Sequence, residues 1–438
     1  MDALTLSLVS LGGMLVLIAL RVPIGIAMGA VAFFGFWYVR NFNVALSVLS
    51  DTPFVFAANW DLSAIPMFLL MGAIAGNSGV GAALFRAAHA WFGMLPGGLA
   101  VATNWACAGF GAASGSSVAA AAVMARLAVP EMLKRKYDKG LATGVCASGG
   151  TLDALIPPSI SFVIYGVFAE VSVPKLLIAG ILPGLLTAAV YMIMIMVRCS
   201  IDPSLAPPVE YADRAALRRE RWDSLAGIWP ILVLIMGVIG GLYWGIVTPT
   251  EGGAAGAFLA AVIGIVQRKL TLAGFIDALR DAMGTTAQLF FVGIGAILYT
   301  KFLALSGTAD MFKEMIGQWA LDPLLLVVAV SIVYIILGTF MDPLGMILLT
   351  IPVFVPMFAA LDLDLVWFGV LVVKYIGISL LTPPVGFNIY VVATATNNTI
   401  PLSTIYRGCY WFLGCEVVIM ALLIAFPQIS LFLPNLMK

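Results

Sequence analysis

Ten stretches of this chain are each apolar over about the length needed to cross the roughly 30 Å of a bilayer's hydrocarbon. They lie near 3–20, 24–39, 61–80, 141–166, 174–198, 224–247, 252–267, 284–304, 365–395 and 402–426. Two further apolar regions, 96–130 and 322–358, are too long for one ordinary span and are interrupted near the middle by Gly, Ser or Pro. They read as re-entrant helical hairpins that enter and leave on one side. The expected fold is an all-α polytopic membrane protein of about ten spanning helices plus two hairpins. Composition agrees: 62% of the 438 residues are hydrophobic and 10% charged, against roughly 45–50% and 25% in soluble domains. The 22 Lys and Arg balance the 22 Asp and Glu, so no nucleic-acid partner is expected and lipid is. The five cysteines have no CxxC spacing, which suggests neither a disulfide framework nor a zinc site. An acidic residue follows Met1 where a signal peptide needs basic charge, so the first apolar run is expected to be retained.

Cytoplasmic loops collect Lys and Arg. With the N-terminus outside, sixteen of the twenty-two fall on the cytoplasmic side, including the run LKRKYDKG at 133–140. Both termini are therefore expected to face the periplasm of a bacterial inner membrane.

The stretch 199–223 is the one long hydrophilic segment and divides the chain into halves, 1–198 and 224–438. Short matches recur between them at offsets of 226 to 228: Pro23 with Pro249, Ser78 with Ser306, Gly111 with Gly338 and Asp153 with Ser379. The charge topology makes the halves opposite in orientation. Two inverted-topology repeats are thus expected, each with scaffold helices, an arm helix, a hairpin and a broken helix. In such repeats the substrate and ion sites lie at mid-membrane, where helices are broken.

Non-helical backbone at membrane depth is tolerated only inside protein or around a water-filled cavity. Pro157-Pro158 and Pro383-Pro384 each lie inside an apolar span, and proline removes an amide donor and clashes with the preceding turn. The carbonyls so freed can take a cation. The hairpin tips, Ser114-Gly115-Ser116-Ser117 and Met341-Asp342-Pro343-Leu344-Gly345, add hydroxyls, a carboxylate and half-helix ends. Oxygen ligands of this kind suit a hard cation, and helix N-termini suit an anionic group. A lone Pro-Pro or Ser cluster would more simply be a kink or a packing face; the symmetric pairing favours the site.

At these residues the sequence resembles the large membrane subunit of the tripartite ATP-independent periplasmic (TRAP) transporters, in the broader ion-transporter superfamily. The resemblance rests on GFGAASGSSVAAAA (109–122), GGTLDALIPPSI (149–160), TPTEGGAAGA (248–257), GTFMDPLGMILLTIPVFVP (338–356) and LLTPPVGFNIYV (380–391). It implies a sodium-driven importer working by an elevator motion, in which a periplasmic binding protein delivers a small organic anion, usually a carboxylate, to this subunit and a small four-span partner. It further implies one Na+ site at Ser114, Ser117 and the backbone around Asp153, Ile156 and Pro157. A second would use Gly338, Ser379, Thr382 and Val385. Substrate would bind between the hairpin tips and the breaks, at Ser116, Pro158, Asp342 and Pro383. The sequence departs from the family pattern at Asp153 and Ser379, where glycine is expected in many members.

Lys374 stands inside a span, where an ammonium is costly and usually paired or functional. It is expected to face the transport cavity and attract the anion, or to pair with a carboxylate such as Asp342. His89, the only histidine, falls on an amphipathic arm helix, and Glu251 is expected to cap the helix that follows TPTE. An enzyme is not expected, since an intramembrane hydrolase needs an activated nucleophile beside a base and the chain has no HExxH motif. The alternative is a stand-alone sodium/carboxylate symporter of the same superfamily.

Overall fold

The computed structural model describes residues 3–207, 214–307, 322–338, 341 and 343–437, with backbone alone at 3–4 and 214–220. Among the described residues every regular element is helical. Six helices are long and apolar enough to cross a membrane, or seven when Phe42–Ala57 and Trp60–Asn77, bent by 53°, are taken as one span. The other expected crossings are shorter helices or broken ones.

The first half opens with α1 (Ala3–Ala19), α2 (Ile24–Val39) and α3 (Phe42–Ala57), then α4 (Ala64–Asn77) and the arm helix α5 (Val80–Phe92). Helix α3 lay outside the expected spans because Asn43, Ser47, Ser50 and Asp51 interrupt its apolar run; Asn41 starts it by accepting a bond from the Val44 amide. The region read as a hairpin is two helices, α6 (Gly98–Ser114) and α7 (Ser117–Lys134). They meet at Gly115, whose φ of 63° suits a residue without a side chain. The first broken span is α8 (Lys139–Gly149), a tight turn over Gly150–Ala154, and α9 (Ile160–Phe168). Helices α10 (Val173–Ala179) and α11 (Ile181–Ile201) then lead to the hydrophilic stretch.

The second half runs through α12 (Arg214–Ile235) and α13 (Pro249–Val266) into α14 (Leu272–Leu305). Thr248 and Glu251 form a reciprocal capping box on α13, the role expected of Glu251. Helix α14 starts twelve residues before the expected span, because no Gly-Pro punctuation separates its polar first turns from the apolar remainder. The second interrupted region is α15 (Pro323–Gly338) and α16 (Pro343–Ala360). The second broken span is α17 (Leu365–Ser379) and α18 (Phe387–Ala395), followed by α19 (Leu402–Ala425) and α20 (Gln428–Asn435).

Both halves contribute to each of two packed groups. Helices α1–α5 pack with α12–α14, while α6–α11 pack with α15–α20. Small residues set the closest crossings, as they do wherever apolar solvent offers helices no hydrophobic drive to associate. Gly25 of α2 lies against Gly295 of α14 in the first group, and Gly144 of α8 against Gly408 of α19 in the second. The groups meet along α5 against α6, α14 against α16 and α4 against α6; at the last of these a Cβ on Gly72 would overlap the Ser114 carbonyl. The tip of the first hairpin therefore sits at the boundary between them.

Candidate functional site

The two breaks are built to one plan. In each, a glycine near the end of a hairpin helix lies flush against the residue that opens the break. A Cβ on Gly111 would stand 2.5 Å from Asp153 Oδ1 and 2.7 Å from its Cα. A Cβ on Gly338 would overlap the Ser379 side chain. These are the residues matched by the offset of 226 to 227 in the sequence, and the fold puts each pair in contact. Both proline pairs, Pro157-Pro158 and Pro383-Pro384, have cis peptide bonds.

At the first break Asp153 is fully buried. Its Oδ2 accepts a bond from the Ser114 hydroxyl at 2.8 Å, while Oδ1 has no hydrogen-bond partner. No Lys, Arg or His among the described residues forms an ion pair with it. A buried carboxylate with one oxygen unengaged carries an unpaid desolvation cost, which a bound cation would offset. Ser116 starts α7, its hydroxyl accepting from the Ala119 amide at 3.4 Å, and Ser117 is half-buried beside it. The tip touches the break again at Gly115, where a Cβ would stand 2.7 Å from the Pro158 carbonyl. Pro157 is buried, and Ile156 packs its side chain against Gly184 of α11.

At the second break Ser379 is buried, Thr382 half-buried, and Pro383, Pro384 and Val385 exposed. The Ser379 hydroxyl donates to the Ile376 carbonyl at 2.7 Å and the Thr382 hydroxyl to Ile378 at 2.8 Å. Both oxygens keep lone pairs to offer a cation. The Tyr406 hydroxyl is 2.9 Å from the carbonyls of Pro384 and Val385, so the Val385 carbonyl already has a partner. Asp342, expected at the tip of the second hairpin, lies outside the described residues.

The two broken spans cross. Asn388 of α18 donates to the Ala147 carbonyl of α8 at 3.1 Å, and a Cβ on Gly377 would lie 3.3 Å from Thr151. Beside the first break a cavity of about 450 Å³ is walled by Ser114, Ser116 and Ile160 on one side and by Gly72, Asp281 and Thr285 on the other.

Lys374 does not line that cavity. It is 2% exposed, its ammonium 2.5 Å from Glu416 of α19 and 3.0 Å from the Thr187 hydroxyl of α11. The Tyr191 hydroxyl donates to the other oxygen of Glu416. The expectation that Lys374 attracts substrate is corrected: Glu416, in the apolar run GCEVVIMALL, takes up the charge. An acidic residue in so apolar a run was the signal for a buried partner. Nothing in the sequence said which helix would face it.

A family model for the tripartite ATP-independent periplasmic transporter DctM component matches residues 11–429. The chain is 34% identical over 382 residues to the C4-dicarboxylate TRAP transporter large permease protein DctM of Pseudomonas aeruginosa, covering 86% of this chain and 87% of that one. It is 32% identical over 379 residues to the sialic acid TRAP transporter large permease protein SiaM of Vibrio cholerae, with 86% and 87% covered. In fold it is similar to the YdaH transporter of Alcanivorax borkumensis, with a TM-score of 0.60 at 15% identity over 89% of each chain. These matches and the paired breaks agree, and the chain belongs to the family of TRAP transporter large membrane permease subunits.

Proposed function

We propose that this subunit imports a small organic anion of the carboxylate class by coupling it to inward flow of sodium. The observation that carries the reading is the first break: a buried carboxylate, Asp153, held by Ser114 with its second oxygen free and no protein cation against it. Oxygen donors in a closed, small site suit a hard cation rather than a transition metal. The second break offers neutral oxygens, Ser379 and Thr382, at the matching position. Together they make two sodium sites, with substrate between the hairpin tips and the breaks near Ser116, Pro158 and Pro383.

The division into two helix groups supports an elevator motion, with α6–α11 and α15–α20 sliding past α1–α5 and α12–α14. The charge distribution supports termini that face the periplasm and an Arg126 end of α7 that faces the cytoplasm. Delivery by a periplasmic binding protein and assembly with a four-span subunit follow from the tripartite family, which favours them over a stand-alone symporter. The test is uptake by the reconstituted complex, with binding protein outside the liposomes and candidate acids identified first by thermal shift of that binding protein. Uptake should need an inward sodium gradient and no ATP. Equal uptake with potassium replacing sodium on both sides would overturn the coupling.

A further inference from the structure

With Lys374 committed to Glu416, the charge that meets the anion must come from elsewhere, and the geometry points to Arg126: we propose that its guanidinium receives the substrate's carboxylate between the breaks and the cytoplasmic mouth. Arg126 is exposed on α7 and, among the described residues, is the only Lys or Arg lining the 450 Å³ cavity of Ser114 and Ser116. A second cavity, of about 630 Å³, lies toward Val385, Tyr390 and Thr394, past the second break. Arg126 lines that one as well and is its only charged residue among those described. One guanidinium on the ridge between them is thus reached from both breaks.

The position separates this site from the sodium sites. Arg126 lies ten positions along the helix from Ser116, about 15 Å at 1.5 Å per residue, so the guanidinium stands well below the hairpin tip. It forms no ion pair among the described residues. A guanidinium offers a planar fork of N–H donors that matches both oxygens of a carboxylate, which an ammonium does not. The cavity also holds one acid, Asp281, on α14 of the opposite helix group. Asp281 faces the same cavity, so its like charge opposes a carboxylate held on Arg126.

The inference rests on the anion-import reading, and its test is independent of sodium and of the true substrate's identity. Native membranes carrying the complex are treated with phenylglyoxal, which reacts with arginine, and labelling is read peptide by peptide. Acetate and succinate are the probes; chloride and succinamide are the controls. The carboxylates should slow labelling of Arg126 by roughly fivefold, the scale of a partly exposed ion pair, while sparing Arg280, which already sits 4.0 Å from Asp277. Asp281→Asn should deepen the protection by removing that repulsion. Labelling of Arg126 at the same rate in acetate, succinate and chloride, or no labelling at all, overturns the site. Protection that Asp281→Asn leaves unchanged overturns the role of Asp281. Sodium-driven uptake surviving either result would leave the import reading standing and this inference alone refuted.

Discussion

The two breaks share a backbone plan and differ in electrostatics. The first is sealed, with Asp153, Pro157 and Pro158 buried, and sets a carboxyl group against Ser114. The second is neutral and open, with Pro383, Pro384 and Val385 exposed and every hydroxyl already donating to a helix carbonyl. A closed site must satisfy its own charge and so gains most from a bound cation. An open, neutral site can lose or take one at smaller cost. The comparison teaches that duplicated geometry need not mean equal affinity: the first site should hold sodium more tightly than the second.

The hardest way to break the comparison is through its shared glycines. Gly338→Ala should abolish transport and lower the thermal midpoint, because its Cβ has no room beside Ser379, and overpacking of this kind costs about 1–3 kcal/mol. Gly111→Ala should do the same against Asp153. The rescue is specific: Ser379→Gly should restore stability in the Gly338→Ala background and not in Gly111→Ala. Rescue of both, or of neither, would sink the pairing.

A buried charge that has its partner supplies the contrast with Asp153. Lys374→Met leaves Glu416 buried without its cation and should destabilise by about 3–5 kcal/mol, with Lys374→Met combined with Glu416→Leu recovering much of that loss. Thermal unfolding of the purified variants in detergent measures both. A single variant as stable as the parent would mean that Glu416 finds another partner.

The next effect is on the first of the two proposed sodium sites. Asp153→Asn keeps the shape and removes the charge. It should weaken sodium activation of uptake by about tenfold, since hydrogen bonds and contacts to a charged group are worth about 1.5–3 kcal/mol. An unchanged sodium dependence with normal folding would reduce Asp153 to a hairpin strut. The smallest effect is expected from Thr382→Ala, a few-fold loss in sodium activation, because one neutral hydroxyl of an open site is removed. An effect larger than that of Asp153→Asn would reverse the ranking of the two sites.

Much of this was legible beforehand because the bilayer imposes simple rules. Apolar length marks helices, and proline pairs mark breaks. The 226 to 228 offset singled out Gly111, Gly338, Asp153 and Ser379, since a duplicated fold keeps its tight contacts where glycine is needed. Helix α3 was missed because its polar positions hid it, and Arg126 because an arginine in a basic cytoplasmic segment reads as an orientation signal.

The sequence by itself determined the membrane class, the interrupted helices, the breaks and the family, because those follow from local hydrophobicity and from short motifs along one chain. Only the tertiary structure decided which buried charge is paired. Lys374 meets Glu416 and Thr187 across residues 42 and 187 positions apart, whereas Asp153 has no ion-pair partner among the described residues and takes a bond from Ser114. Coulomb and desolvation terms depend on distance and burial in three dimensions, and neither is written in the spacing of residues along the chain.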